Sequence, residues 1–261
     1  MQELADSVQL KLDQATLLTI ALAQAPESEL VHQLRVYLKK LRALISLLGE
    51  MGLLDKEGKI EKPFRKTFKR LSVLRDLFVV QAQLKSVSKK ELPASIHAIL
   101  DDDFVDTIAD LQRYLDKNRE EKAWKKVGKK IKQSVTHCNE ALCSGVLRAY
   151  HDSLIEWLKN AIPEQKDLHP IRKEIKRLLH QISFFKEFYT LEIEQESIDT
   201  LTEIQELLGQ WRDQTITIQW LKGLMAFDDA DMMKEAKAIA KTIRKSEQNI
   251  YIKLSALTDK L

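Results

Sequence analysis

Apolar residues recur along this chain at steps of three and four. Leu4, Val8, Leu12, Ala15, Thr19 and Leu22 keep that rhythm and predict an amphipathic helix over about 3–24. Pro26-Glu27 breaks it and opens a second helix over about 27–48, because a proline and an acid both suit a first turn. On that helix Val31, Leu34, Leu38, Leu41 and Ile45 gather on one arc. Gly49, Gly52 and Gly58 mark a loop after it. A third helix is expected from about Lys62 to Ser86, a fourth after Pro93, and a strongly basic helical segment from Lys117 to Lys132. The plan then restarts. Leu142, Val146, Leu154, Ile155 and Leu158 predict a helix over about 139–161; Pro163-Glu164 follows, then a helix from His169, and two more over about 197–223 and 229–258. With 7 Gly, 5 Pro and few strand-like runs of β-branched residues, the pattern reads as all-α.

The restart has a fixed register. Pro26 and Pro163, Glu27 and Glu164, His32 and His169, Arg35 and Arg172, Lys39 and Lys176, and Leu41 and Leu178 are each 137 residues apart. So are Leu71 and Leu208, Arg75 and Arg212, and Asp76 and Asp213. One ungapped offset thus holds from Pro26 to Asp76 and divides the chain into an internal repeat, copy 1 over about 1–132 and copy 2 over about 138–261. Each copy holds a four-helix unit with short connections, which favour antiparallel neighbours. The fold expected is two pseudo-symmetric antiparallel four-helix bundles related by that repeat. If a pseudo-two-fold axis relates them, the two His/Arg/Lys helices face each other across one groove.

The repeated helix carries cations in an unusual place. Wound at about 100° per residue, His32, Arg35, Lys39 and Arg42 share an arc of about 80°. That arc lies beside the apolar stripe rather than opposite it, so the cations flank the core and point toward a groove. No acid lies between His32 and Gly49, so nothing on this helix neutralises them. The alternative is a solvated basic face with His32 as an ordinary groove histidine; the second copy, with His169, Arg172, Lys176 and Arg177, argues for a shared role. A second motif repeats as well. Leu71-Ser72-Val73-Leu74-Arg75-Asp76 matches Leu208-Gly209-Gln210-Trp211-Arg212-Asp213, and each Arg is expected to be aimed by the Asp beside it. Arg65, Lys66, Lys69 and Arg70 add a cationic surface to copy 1, where copy 2 has Thr202, Glu203, Glu206 and Leu207.

Charge sharpens this asymmetry. The whole chain of 261 residues has a net charge of +3. Residues 1–132 hold 25 Lys and Arg against 19 Asp and Glu, while residues 133–261 hold 17 against 20. Cys138 and Cys143 have no partners at zinc-ligand spacing and read as reduced packing residues. The start Met1-Gln2-Glu3 lacks a basic-then-apolar signal pattern, and no apolar run approaches the roughly 20 residues that span a bilayer. A soluble, cytoplasmic protein that does not enter membranes is expected.

The doubled His-x-x-Arg-x-x-x-Lys-Lys/Arg-Leu helix, with a Leu-x-x-x-Arg-Asp segment about 40 residues on in each half, resembles the CHAD family, the conserved histidine α-helical domain. The resemblance covers essentially the whole chain. It implies a single domain of two pseudo-symmetric four-helix bundles with a basic central groove that binds inorganic polyphosphate, and an association with polyphosphate granules. The motif carries the binding role onto His32, Arg35, Lys39, Lys40 and Arg42, and onto His169, Arg172, Lys176 and Arg177. Arg65, Lys66, Lys69, Arg70, Arg75, Lys173 and Arg212 complete the candidate set. The chain departs from the pattern at Leu179, where copy 1 has Arg42, and at Pro170, directly after His169.

These residue types suit a polyanion. A polyphosphate chain offers regularly spaced, permanently charged oxygens and no base to read, so it asks for a track of cations. Arg presents a planar fork to two oxygens, Lys a mobile point charge, and His a charge that phosphate favours near neutrality. Three other functions compete. A phosphohydrolase is disfavoured: no phosphate-cradling Gly-rich loop occurs, and Glu192-Ile193-Glu194-Gln195-Glu196 lacks the terminal Lys of an acidic metal-holding triphosphatase motif. RNA binding suits the basic segment 117–132, yet Trp124 is nearly its only aromatic for stacking. A scaffold for an acidic protein partner needs only the cations. No cofactor or metal is expected, because Arg and Lys flank both His32 and His169 and repel a cation.

Overall fold

The computed structural model describes residues 2–87, 92–116, 119–164, 168–227 and 229–261, and among them every regular element is a helix. In chain order these are α1 (Gln2–Gln24), α2 (Ser28–Glu50), α3 (Glu57–Val87), α4 (Ala94–Leu115), α5 (Arg119–Val135), α6 (Glu140–Glu164), α7 (His169–Phe185), α8 (Gln195–Leu224) and α9 (Ala230–Thr258). Lys117 of the basic segment lies outside the described residues.

The boundaries follow local chemistry. α2 ends in a Schellman turn: Gly52 takes φ of 70°, its N–H donates to the Gly49 carbonyl at 2.9 Å, and the Leu53 N–H donates to Leu48 at 2.8 Å. Only glycine adopts that backbone without strain, which explains the stop. α3 starts earlier than Lys62, at Glu57, and takes Pro63 into its second turn. α6 runs on through Pro163 to Glu164, past the expected end at 161. At that place the proline removes a hydrogen bond only from the final turn.

Burial keeps the register of 137. Val31, Leu34, Leu38, Leu41, Ile45 and Leu48 of copy 1 are buried, and so are Leu168, Ile171, Ile175, Leu178, Ile182 and Phe185 at the matching places. Each such side chain contributes about 1.5–3 kcal/mol by leaving water. α2 packs on α7, and α3 on α8, so helices matched by the offset are also neighbours in space. One core joins α1, α2, α5, α6 and α7 with the N-terminal parts of α3 and α8 and the C-terminal parts of α4 and α9. A second core takes Leu77, Val80 and Leu84 of α3, Ile96 and Leu100 of α4, Ile216 and Leu221 of α8, and Met232, Ile239 and Ile243 of α9. Both cores mix residues of the two copies, so the halves interlock.

The basic segment forms α5, a fifth helix in copy 1, where the described residues of copy 2 show four. It packs on α1, α2 and α3. Trp124 is buried against Phe64, with ring centroids 5.5 Å apart. Gly128 lets α1 come close, for a Cβ there would stand 2.4 Å from Leu12 Cδ1. Lys122, Lys125, Lys126, Lys129 and Lys130 of α5 face outward, while half-buried Lys132 donates to Gln9 of α1.

Candidate functional site

The repeated cations meet where α2 lies against α7, with α3 and α8 packed alongside. Residues four apart stack on one helix face. Arg35 and Lys39 therefore stand one turn apart on α2, and Arg172 and Lys176 one turn apart on α7. All four are half-buried. Arg75 of α3 and Arg212 of α8 join them, the first acting on Arg35, Lys39, Arg172 and Lys176, the second on Arg172. Against these six cations the neighbouring carboxylates are Asp76 and Asp213.

The shortage of negative charge shows in proton affinity. Burial, then Lys176, Arg35, Arg172 and Arg75, push the Lys39 ammonium down to about 6. Burial, then Arg172 and Arg75, lower Lys176 to about 8, with Asp213 opposing. Arg35 falls to about 10, mainly through burial and next through Arg75. Arg172 is lowered for the same two reasons. A buried cation whose neighbours are cations is held in its least favourable form, and an anion relieves all of them together.

The two walls are fastened differently. On the copy 1 side, Arg35 Nη1 donates to Ser72 Oγ at 2.5 Å and more weakly to the Phe68 carbonyl at 3.5 Å. Its guanidinium lies 4.2 Å from the Phe68 ring centre, with Lys39 at 5.7 Å and Arg42 at 5.2 Å from the same ring. Cation–π contacts of this kind are worth about 0.5–1 kcal/mol each at partly exposed sites. On the copy 2 side, the places matching Phe68 and Ser72 are Gln205 and Gly209. Arg172 has neither ring nor hydroxyl there, and its buried Nε has no hydrogen-bond partner.

The Arg-Asp motifs also pair otherwise than expected. Arg75 holds its neighbour Asp76 at 3.1 Å, but its other nitrogen holds Asp213 of copy 2 at 2.6 Å. Asp213 thus serves Arg75, and Arg212 forms no ion pair among the described residues. The reason is geometric: α3 and α8 pack against each other, so one carboxylate reaches across.

Several candidates are spoken for or stand elsewhere. Arg42 is not left without a counter-charge: Glu61 of α3 accepts from its Nε. Arg177 is tied to Glu174 at 2.7 Å, donates from Nε to Tyr150 Oη at 2.8 Å, and has Glu50 at 3.8 Å. Burial and the hydrogen bond to Glu174 raise the Tyr150 phenol above its usual range, so it stays a neutral member of that tie. His32, His169 and Lys173 are exposed near the starts of the two basic stripes. Arg65, Lys66, Lys69 and Arg70 are exposed on α3. At about 100° per residue, Arg65 and Lys69 fall on the Ser72 side of that helix while Lys66 and Arg70 point away. Arg70 instead stacks 5.6 Å from the Tyr114 ring. Lys40 is half-buried and lies toward α1, where it lowers the proton affinity of Lys11 after burial and against Glu187.

Phe68, Ser72, Lys11 and His180 were not singled out by the sequence. His180 continues the spacing of four from Arg172 and Lys176, a signal that was available. Burial, then Lys39, Lys176 and Lys40, push its imidazole down to about 4. No group of three or more His, Cys, Asp or Glu side chains among the described residues converges as a metal site, and Cys138 and Cys143 are buried free thiols. A cleft of about 1070 Å³ lies away from the cluster, between α1 and α5, lined by Leu12, Trp124 and Lys129 among others.

The family model of the CHAD domain matches residues 7–222. The chain belongs to the CHAD family. A solved structure, the crystal structure of the CHAD domain from the plant Ricinus communis, superposes on it with a TM-score of 0.79 at 16% identity, covering 97% of this chain and 89% of that one. At that identity the likeness speaks for the fold, and it agrees with the all-α architecture. Among curated proteins none matches the chain. Among the described residues of this CHAD protein, no helix is long and apolar enough to cross a membrane.

Proposed function

We propose that this CHAD protein binds inorganic polyphosphate without hydrolysing it, in a basic groove between the α2/α3 and α7/α8 walls. The observation that supports this best is the surplus of basic groups: six basic side chains against two carboxylates among the described residues, with Lys39 pushed to about 6. Arg35, Lys39, Arg75, Arg172, Lys176 and Arg212 line the track, His32, His169, Lys40 and Lys173 extend it, and Arg65 and Lys69 continue it along α3. A flexible chain of phosphoryl groups meets such a track without needing a shaped pocket. Affinity comes largely from released counterions and falls steeply with salt, as it does for nucleic acids. The protein acts in the cytoplasm and associates with polyphosphate granules.

RNA and an acidic protein surface are the competing ligands. Phe68, beside the cluster, is already covered by three cations, which keeps a base from stacking on it. Titration with long-chain polyphosphate, RNA and single phosphate at matched salt separates these readings. Polyphosphate is expected to bind tightest and single phosphate weakest; tighter binding of RNA would overturn the proposal. Incubation with polyphosphate and magnesium should release no phosphate, and steady release would make the protein an enzyme.

A further inference from the structure

The two basic stripes end differently. On α7 the spacing of four runs past Arg172 and Lys176 to His180, whereas the matching place on α2 is Ala43. His180 is half-buried, and its Nε2 is a buried atom without a hydrogen-bond partner. The charged groups acting on it are Lys39 and Lys40 of α2 and Lys176 of its own helix. Lys11 of α1 stands beyond Lys40, partly offset by Glu187 at 3.8 Å, and Asp213 of α8 acts on Lys176. Three lysines therefore crowd one imidazole.

The other end of this stripe is unsatisfied too. Arg172 Nε can only donate, and it is buried without an acceptor. The Ser72 hydroxyl and Phe68 ring that hold Arg35 have no equivalents at Gly209 and Gln205. Two orphaned nitrogens on one helix face, with a lysine between them, mark places where a ligand oxygen completes the structure.

We infer that His180 is an anion-binding residue, and that α7 presents a seat for phosphoryl oxygens running from Arg172 through Lys176 to His180, formed when the half-buried Arg172 and His180 side chains turn their orphaned nitrogens toward the ligand. This rests on the polyanion reading above and adds a residue to it. The ends of the seat are eight residues apart, about 12 Å along the helix, so it takes several phosphoryl units in a row. Binding turns the imidazole into a donor. A phosphoryl oxygen at Nε2 favours the imidazolium, the proton comes from solvent, and the anion offsets the three lysines.

Calorimetric titration of wild type, His180→Ala and His180→Gln with tripolyphosphate and long-chain polyphosphate, at pH 6 and pH 8, tests the seat. At pH 6, His180→Ala should bind both ligands about tenfold more weakly, as loss of one charge-assisted hydrogen bond requires. The loss should shrink at pH 8, and His180→Gln, which keeps a neutral donor, should recover part of it with a flatter pH dependence. Thermal midpoints of the two variants should equal or exceed that of wild type, since the imidazole is crowded by basic groups. If His180→Ala does not fold, His180→Gln carries the test. Wild-type affinity in the substituted protein at both pH values overturns the seat and leaves the polyphosphate reading standing. Absence of binding by wild type overturns both.

Discussion

The two walls of the basic cluster share a motif and differ in how it is held. Arg35 of copy 1 has a hydroxyl at 2.5 Å, an aromatic ring at 4.2 Å and a neighbouring Arg42 that is already neutralised by Glu61. Arg172 of copy 2 has a glycine and a glutamine where those supports would be, and keeps a buried nitrogen without a partner. Arg75 takes both aspartates, while Arg212 takes none. The lesson is that duplication fixes where the cations are and not what secures them. Copy 1 fastens Arg35 in a pre-set wall, and copy 2 leaves Arg172 Nε without a partner.

The largest effect should come from removing one guanidinium from each wall. In the double variant Arg35→Ala/Arg172→Ala, polyphosphate affinity should fall about 100-fold or more, at roughly 1.5–3 kcal/mol per charged contact. The thermal midpoint should stay near that of wild type, because each substitution also relieves repulsion on Lys39. Collapse of the fold would mean that the pair is structural. The single variants sharpen the comparison: Arg172→Ala should cost binding more than Arg35→Ala, as the unfastened guanidinium has more to gain from a ligand.

Protons give the next effect in size. The Lys39 value of about 6 in the folded protein lies below the ordinary lysine value of 10.5. Between those two pH values the unfolded chain binds more protons, so the stability of the ligand-free protein should rise with pH across that window. It should fall as pH drops toward about 6. A urea midpoint lower at pH 6.5 than at pH 8.5 is expected. Polyphosphate reverses the penalty, so its binding at pH 7.5 should take up protons and tighten as pH falls toward 6. Titration in buffers of different ionisation enthalpy measures this uptake, and proton release would contradict it. Lys176, lowered to about 8, contributes in the same direction over pH 8 to 10.

The smallest effect tests the crossed ion pair. Asp213→Asn removes one of the two carboxylates and frees one arm of Arg75. Polyphosphate should bind a few-fold more tightly, while stability drops by less than about 1 kcal/mol, since both partners are partly exposed. Weaker binding would show that Asp213 aims Arg75 for the ligand.

Much of the architecture was legible in the sequence because the apolar spacing is regular. The predicted stripe of α2, Val31, Leu34, Leu38, Leu41 and Ile45, is buried, joined by Ala43, Leu44, Leu47 and Leu48 near the end of the helix, and the offset of 137 that relates the basic motifs also relates the stripe to buried positions of α7. The interlocking of the copies was not legible. A helix pattern does not show that Leu77 and Ile216, from different copies, share a core. At the site, spacing placed Arg35, Lys39, Arg172 and Lys176 on common faces. It did not show which cations would meet an acid from another helix. Glu61 against Arg42, Glu50 against Arg177 and Asp213 against Arg75 are all contacts between different helices. Phe68 and Ser72 were missed for a related reason: each looks like an ordinary helix residue until α2 is laid beside α3.

The central claim is that the ligand lies between the repeated helices, and a crystal structure with bound polyphosphate tests it most directly. Phosphoryl oxygens should lie within hydrogen-bonding distance of Arg35 and Lys39 on one side and of Arg172 and Lys176 on the other. Polyphosphate found only on the outward lysines of α5, with the α2–α7 cluster untouched, would contradict it.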